Sequence, residues 1–381
     1  MNNLNVRVQP KLKKYKLQLI PCMCHSLHLA ASKASDELPS SLEFLIRETN
    51  RWFSCSPLRK SLYNCLYTTI NKGAINKQLV KLSKTRWLAW HEAVASILDQ
   101  WLELKTHFNI MAMQKEKKCY MARILRDMYE DDSNYLYLLF LRPVLKEVIE
   151  VNLLFQKENP EVTKLFGDMR VLLLSLVTRI LKPTFIRSAF SSKHLNIQNL
   201  ESIKKYLSQN DCLLSLDSVD YGNNFKIEAQ QCKISEKALY EVKDRCMKFL
   251  RVLCIELADR LPANIPVLEA VRFLHPKYCL RRVDQPAFNE LSLVLIGSNV
   301  NKEVLEEQWR KLPFTDWPSE FGDTELSNSV QFWVQMKKLT NAGGDHPFNE
   351  LATFSLRVLC LPFSNAAVER VFSHMNAIKT T

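Results

Sequence analysis

Glycine is scarce in this chain. There are 7 glycines in 381 residues, and neither Asn-Gly nor Asp-Gly occurs. Because those two dipeptides favour the tight turns of β-hairpins, their absence argues against a sheet built from short antiparallel hairpins. Leucine, lysine and glutamate, which are good helix formers, are abundant instead. The composition therefore predicts a mostly helical protein.

Long apolar runs and paired cysteines are missing too. The longest apolar runs, such as Val171–Val177, are far shorter than the ~20 residues of a membrane-spanning helix, and no apolar signal core follows the first charges. We expect no membrane partner. The 11 cysteines include no Cys-x-x-Cys pair, and because their number is odd, at least one cannot pair within the chain. This pattern indicates a reducing compartment.

Acidic residues are absent from residues 1–35 and again from residues 51–91. The first segment holds 6 basic residues and the second holds 8, so the two contribute +14. The rest of the chain, with 38 basic and 40 acidic residues, contributes −2 to the net charge of +12. A positive excess concentrated in the first quarter of a chain is typical of a surface that binds a polyanion.

Apolar residues recur every three or four positions through most of the chain, which predicts helices. The predicted helices span 36–53, 57–70, 87–111, 119–129, 134–156, 160–181, 235–261, 265–274, 325–339 and 347–361. A short apolar run, Leu17–Cys22, predicts a strand. Pro143 should kink or split its helix. The pattern weakens between 185 and 233, where we expect loops, and residues 341–345 form the clearest break.

A further helix is predicted near the end of the chain. Pro362 ends the preceding run, and Ser364 or Asn365 can cap the new helix. A predicted buried face then recurs at spacings of three and four: Val368, Val371, Phe372, Met375 and Ile378. Glu369 lies at the margin of that face, and on periodicity alone it and Arg370 are solvated flank residues.

Residues Ser364 to Ser373 read Ser-Asn-Ala-Ala-Val-Glu-Arg-Val-Phe-Ser. This segment resembles the C-terminal signature of hAT-family DNA transposases and of host proteins derived from them. In that family the position of Glu369 is the last acid of an Asp-Asp-Glu metal site on an RNase H-like fold. The same region belongs to a dimerisation segment. The matching family-motif positions are Ser364, Asn365, Arg370, Phe372 and Ser373.

Two earlier elements also resemble the family. Cys22 and His25 resemble the Cys-x-x-His element that follows the second catalytic Asp. The run Lys-Thr-Arg-Trp from Lys84 resembles an Arg-Trp element within the family's all-helical insertion, where the Trp stacks on DNA at the transposon end. The resemblance therefore predicts DNA contacts at Arg86 and Trp87, and at the nearby Lys81 and Lys84.

The residues alone leave other interpretations open. Trp87, Trp90 and Trp101 stand at helical spacing, and tryptophans in such a stripe usually pack in a core. Zinc-ligand residue types cluster at Cys22, Cys24, His25 and His28. No second Cys/His pair is apparent nearby, so we expect no metal site there, and Cys22 and His25 are expected to have a structural or site-lining role.

The segment that leads into the signature also resembles the family, from Phe332-Trp333 through the turn at 341–348. The resemblance to a dimerisation region predicts contacts between subunits at Trp333, Phe348, Leu351, Val368, Val371 and Phe372. The expected partner is a second copy of the chain or a related transposase.

One departure from the family decides the expectation about catalysis. The family's two catalytic aspartates lie upstream of the Cys-x-x-His element, whereas the first acid here is Asp36. A two-metal site needs several carboxylates to hold cations about 3.5–4 Å apart, and Glu369 alone does not supply them. We expect no catalytic residue and no cofactor, with Mg²⁺ relevant only if all the acids were present. Both ends are expected to be truncated relative to the family.

These observations predict a mostly α architecture: a truncated RNase H-like α/β remnant interrupted by a large all-helical insertion. The predicted boundaries are 1–34 and 327–381 for the remnant and 35–326 for the insertion. The leading functional hypothesis is a catalytically incomplete, nuclear hAT-derived protein that dimerises and binds DNA, with no small-molecule substrate. The alternatives are a fragment of an active transposase whose first two aspartates lie outside this chain, and a helical interaction protein with no role on DNA.

Overall fold

The computed structural model describes residues 21–80, 90–113, 119–189, 197–261, 265–291, 301–315 and 328–365, together with residues 371, 372 and 375. Within these residues the regular structure is helical, and the β-structure is one isolated bridge between Leu181 and Leu213. The prediction of a mostly helical protein is confirmed. The predicted strand lies largely outside the described residues, and Pro21 and Cys22 have no regular structure.

The helices follow one another closely along the chain. The first nine are α1 Met23–Ser35, α2 Ser40–Ser54, α3 Pro57–Ile70, α4 Trp90–Leu98, α5 Trp101–Met113, α6 Tyr120–Glu130, α7 Asp132–Gln156, α8 Leu165–Thr178 and α9 Pro183–Ala189. The next eight are α10 Ile197–Ser208, α11 Asn223–Gln231, α12 Glu236–Arg260, α13 Ile265–Arg272, α14 Pro276–Cys279, α15 Lys302–Lys311, α16 Ser329–Lys338 and α17 Asn349–Leu359. Residues 371, 372 and 375 are also helical.

Local capping chemistry sets several of these boundaries. The Ser56 hydroxyl accepts from the backbone N–H of Arg59 at 3.3 Å, and Pro57 occupies the first turn of α3, where its missing N–H costs nothing. The same helix ends where Lys72 and Gly73 take positive φ values of 51° and 96°. Asn328 likewise caps α16 by accepting from the N–H of Gln331 at 3.0 Å. Short-range signals of this kind explain why α3 has the boundaries that the sequence predicted.

The chain divides into two compact units. The terminal unit comprises residues 1–26, 152–171 and 260–381, and the central unit comprises residues 27–151 and 172–259. The two ends of the chain therefore belong to one unit. The boundaries drawn from the sequence at 34/35 and 326/327 do not coincide with this division, because residues 152–171 and 260–315 of the predicted insertion group with the ends.

The core of the terminal unit is built around tryptophans on α15 and α16. Trp309 and Trp333 are buried, and their indole N–H groups donate to the carbonyl oxygens of Pro286 and Leu274, both at 2.8 Å. Burying such large rings with their polar atoms paired is strongly stabilising. Phe348 and Leu351 are buried in the same unit. These last two residues and Trp333 therefore pack the interior of their own chain.

An aromatic cluster forms part of the core of the central unit. Its rings come from α2, α3, α5 and α6, and they are Trp52, Phe53, Tyr63, His107, Phe108 and Tyr129. Trp90 and Trp101 are also buried, as the periodicity of that stripe indicates. The prediction of one helix over 87–111 is wrong, because α4 and α5 are separate. Between them the buried Gln100 amide donates to the carbonyls of Ser96 and Lys77 at 2.9 and 3.1 Å.

Two other predictions about helices differ in part from the structure. Helix α7 continues through Pro143 without being split. The cost of a proline inside a helix, about 3 kcal/mol, is offset because the neighbouring Phe140, Leu141 and Val144 are fully buried, each worth roughly 1.5–3 kcal/mol. Within 185–233, where loops were expected, α10 and α11 form. None of the described helices has both the length and the apolar character needed to cross a bilayer.

Candidate functional site

The start of α1 places two sulfur atoms side by side. Cys22 precedes the first helical residue, and Cys24 lies in the first turn. The Cys22 carbonyl accepts from the N–H of Ser26 at 3.0 Å, as expected of a capping residue. The Cys22 sulfur accepts from the backbone N–H groups of Cys24 and His25. First-turn N–H groups have no partner within the helix, so the sulfur of Cys22 acts as the cap.

The C-terminal signature meets this helix start. The backbone N–H of Asn365 donates to the sulfur of Cys22 at 3.4 Å. The Ser364 hydroxyl lies 3.3 Å from the sulfur of Cys24, and either atom can be the donor. We call these four residues, Cys22, Cys24, Ser364 and Asn365, the terminal junction. The Cys-x-x-His element and the C-terminal signature lie near opposite ends of the sequence, and the fold brings them into contact.

Two further contacts hold the terminal junction in place. The N–H of Met23 donates to the carbonyl of Phe363 at 3.2 Å, and both side chains are buried. On another side the Cys24 sulfur lies 3.7 Å from the carbonyl oxygen of Asn152, and the Gln156 side chain hydrogen-bonds to Cys24. The end of α7 is thus the third segment of the site, and no local pattern in the sequence links it to the other two.

The two sulfurs differ in protonation. The hydrogen bond from the Cys24 thiol lowers the pKa of Cys22 to about 5; it outweighs burial, which acts in the opposite direction, and the N–H groups of Asn365 and His25 lower the pKa further. Donating that hydrogen bond, together with burial, raises the pKa of Cys24 far above that of a free thiol. At neutral pH the site therefore holds a thiolate on Cys22 beside a thiol on Cys24. A helix N-terminus commonly lowers the pKa of a cysteine in this way.

Metal ligation is not a feature of the described residues: among them no three His, Cys, Asp or Glu side chains converge on one point. His25 contributes its backbone N–H to Cys22, and this is its contact within the junction. Glu369, together with Val368, Arg370 and Ser373, lies outside the described residues.

The predicted DNA-contact residues, Lys81, Lys84, Arg86 and Trp87, also lie outside the described residues. The segments on either side of them are held in the central unit. Before them, the amide of Asn50 donates to the carbonyl of Leu79 at 2.9 Å, and the amide of Gln100 donates to the carbonyl of Lys77 at 3.1 Å. After them, α4 begins at the buried Trp90.

A group of cations leads up to this segment. We call it the basic surface, and its members are Arg51, Arg59, Lys60, Lys72 and Lys77. Lys77 pairs with Asp99 at 3.0 Å and Arg51 with Glu48 at 3.8 Å. In the described part of the chain, Lys60 and Lys72 have no carboxylate partner and are exposed. The Arg59 guanidinium lies 3.6 Å from the ring centre of Trp52, a cation–π contact.

The predicted dimer contacts fall into two groups. Trp333, Phe348 and Leu351 are buried within the terminal unit, so a second subunit does not reach them in this conformation. Val371 and Phe372 are 58% and 59% exposed. The prediction that they belong to a face buried within the chain is therefore wrong, and the same holds for Met375 at 45%. These three exposed side chains form an apolar group without cover from the described residues.

Comparison with known proteins identified no relative: no protein-family model, no curated protein and no solved structure matches this chain.

Proposed function

We propose that this chain is an hAT-transposase-derived protein that pairs with a second copy of itself and binds DNA, without catalysing strand transfer. The observation that supports this most directly is the terminal junction. An RNase H-like remnant interrupted by a long insertion needs its first and last segments to return to one place, and the sulfur of Cys22 and the N–H of Asn365 are 3.4 Å apart.

DNA binding is supported by the position and charge of the basic surface. Its cations precede the Lys81–Trp87 segment in the sequence, and no acid occurs between Arg51 and His91. Lysine and arginine that neutralise phosphates release counterions, which drives association with a duplex. The Arg-Trp element then supplies a guanidinium for phosphate and an indole for stacking on a base. The site of action that follows from this proposal is the nucleus.

Pairing is supported by the exposed Val371, Phe372 and Met375. Contiguous apolar side chains on a surface commonly mark a place where another protein binds. Self-association is the form of pairing that the resemblance implies for this segment, and a related transposase is the alternative partner.

Strand transfer is left out of the proposal because of the acids found within this sequence. Glu369 is the family position of one metal-binding carboxylate, and within residues 1–381 no acid precedes Asp36, where the resemblance expects the other two. Without several converging carboxylates, a pair of cations cannot be held at a phosphoryl-transfer distance. DNA binding and pairing do not require these carboxylates.

The test is binding to a duplex of mixed sequence across a salt series. We expect the logarithm of the association constant to fall linearly with the logarithm of salt concentration, with a slope of several units, at about 0.9 per phosphate contacted. Lys60→Ala with Lys72→Ala should lower that slope by roughly 1–2. Arg86→Ala with Trp87→Ala should weaken binding at every salt concentration.

The matched control is Lys337→Ala with Lys338→Ala, which removes two exposed lysines from α16 of the terminal unit and should leave the slope unchanged. A flat salt response of the unaltered chain would remove DNA from the proposed function. Equal affinity after the change at Arg86 and Trp87 would reject that placement of the contact.

A further inference from the structure

We propose that Cys22 and Cys24 are an oxidant-sensitive dithiol, in which Cys22 is the sulfur attacked by a hydroperoxide and Cys24 is the thiol that closes the disulfide. The sulfurs of Cys22 and Cys24 contact the adjacent residues Asn365 and Ser364 at 3.4 and 3.3 Å, and they are hydrogen-bonded to each other. Both residues are partly exposed, so that a small oxidant can reach them. Neither DNA binding nor pairing uses this chemistry.

The terminal junction differs from every other cysteine site among the described residues. Cys212, Cys246, Cys254 and Cys279 are buried, which denies access to an oxidant. Cys55, Cys65 and Cys360 are exposed and Cys119 is partly exposed, but within the described part of the chain no group donates a hydrogen bond to their sulfurs. Cys232 is also partly exposed, but burial and the nearby carboxylates of Asp132 and Glu228 raise its pKa, which disfavours a thiolate. Cys22 combines access with three backbone N–H donors and a neighbouring thiol, the surroundings that favour a reactive thiolate.

The first step forms sulfenic acid. The Cys22 thiolate attacks one oxygen of the hydroperoxide, so that an S–O bond forms while the O–O bond breaks. The other oxygen leaves as an alkoxide, or as hydroxide when the oxidant is hydrogen peroxide, and takes up a proton from solvent. Cys22 is then oxidised by two electrons, and the peroxide is reduced to an alcohol or to water.

The second step uses the thiol next to it. The Cys24 sulfur attacks the Cys22 sulfur, an S–S bond forms, the S–O bond breaks, and the hydroxide leaves as water with the proton that Cys24 gives up. The Ser364 hydroxyl lies 3.3 Å from the Cys24 sulfur and can donate a hydrogen bond to it as the thiol loses its proton.

Oxidation changes how the C-terminal signature is held. In the reduced chain Asn365 donates to an anionic sulfur, and hydrogen bonds to charged acceptors are stronger than those to neutral ones. A disulfide sulfur is neutral and a poor acceptor, both for the N–H of Asn365 and for the hydroxyl of Ser364. The attachment of residues 364 and 365 to the start of α1 is therefore weaker in the oxidised form.

The full chain itself provides the experiment. Trypsin is expected to release Leu17–Lys33, which contains both cysteines and no other. The chain is treated with an equimolar amount of hydrogen peroxide, blocked with N-ethylmaleimide, digested and weighed by mass spectrometry. We expect the mass of this peptide to fall by two hydrogens and the peptide to escape alkylation. Treatment with dithiothreitol should restore the two hydrogens. Double alkylation of this peptide, at a dose that oxidises the peptides containing Cys55 or Cys360, would overturn the proposal.

Variants separate the two roles. Cys24→Ser should stop the reaction at sulfenic acid, and dimedone should label Cys22. Cys22→Ser should leave Cys24 unlabelled, and Cys55→Ser is the matched control that should behave as the unaltered chain. Labelling of Cys24 in Cys22→Ser to the same extent would contradict the assignment.

The pH dependence of alkylation gives a measurement that needs no variant. The rate at Cys22 with iodoacetamide should be half-maximal near pH 5, because its pKa is lowered to about 5, and should be level around neutral pH. A free cysteine becomes half-maximal near pH ~8.5. A profile for Cys22 that follows the free amino acid would remove the thiolate on which the proposal depends.

Discussion

His107 illustrates what a single residue contributes to this fold. It is 3% exposed, and its Nε2 atom accepts from the indole N–H of Trp52 at 3.1 Å. Its ring lies among Phe53, Tyr63 and Phe108, with ring centres 5.1, 5.5 and 5.4 Å away. Burial, with a smaller contribution from the charge of Arg59, lowers the pKa of His107 to about 4. The folded chain therefore keeps this imidazole neutral, with its proton on Nδ1.

This residue makes stability depend on pH. The unfolded chain takes up a proton at His107 below pH ~6.5, whereas the folded chain does so only near pH 4. Stability is therefore lost as the pH falls through this window, by on the order of 3 kcal/mol. His107→Gln keeps an acceptor for Trp52 and should remove that part of the loss. Urea midpoints between pH 7 and pH 4 measure it.

His346→Gln is the matched control, because His346 is exposed and its replacement should preserve the pH dependence of the unaltered chain. An unchanged fall in stability for His107→Gln would show that other groups carry the acid sensitivity.

At the scale of elements, two glycines have opposite roles. Gly222 caps α11 with φ +99° and ψ 150°, a conformation that side-chain-bearing residues avoid. A Cβ atom there would also lie 3.4 Å from Cγ of Pro143 on α7. Gly167 lies inside α8, and a Cβ atom built on it has no neighbour within 4 Å. The first glycine is required by its backbone conformation, and the second is not.

Substituting alanine at each position should therefore have effects of opposite sign. Gly222→Ala should lower the free energy of unfolding by about 1–3 kcal/mol. Gly167→Ala should raise it by roughly 0.5–1 kcal/mol, because alanine loses less backbone entropy in a helix. Chemical denaturation of both variants beside the unaltered chain measures the two shifts, and shifts of the same sign would contradict this reading of the helices.

At the scale of the whole molecule, the proposed pairing would cover the exposed C-terminal side chains. If pairing buries Val371 and Phe372, the chain should have twice its own mass in solution at micromolar concentration. Val371→Ser with Phe372→Ser should shift it to a monomer, because the apolar area lost from the interface is worth roughly 25 cal/mol per Å². Light scattering on the purified chain measures the mass.

Leu58→Ser with Leu62→Ser is the control for this change. Both leucines lie on α3 of the central unit and are 62% and 46% exposed, so that their loss removes a comparable amount of apolar surface elsewhere. If the unaltered chain is a monomer, pairing is excluded. If the control substitutions at Leu58 and Leu62 also produce a monomer, Val371 and Phe372 are not the specific contacts of the dimer.

The sequence by itself determined most of the helices. Caps and apolar periodicity act within about four residues, so α3 could be read from Ser56, Pro57 and the spacing of its apolar residues alone. The mostly helical class followed from the same local signals. Only the tertiary structure decided what depends on distant partners: the burial of α10 despite its weak pattern, the break at Gln100, and the interior position of Trp333.

The terminal junction is the clearest case of this difference. Cys22 and Ser364 each belong to a short sequence motif. Neither motif indicates that Ser364 lies against Cys24 or that Asn152 completes the site. Side chains separated by hundreds of residues meet because the helices between them pack into a particular arrangement. That packing is a property of the whole chain, so it also decided which of the two sulfurs is the thiolate.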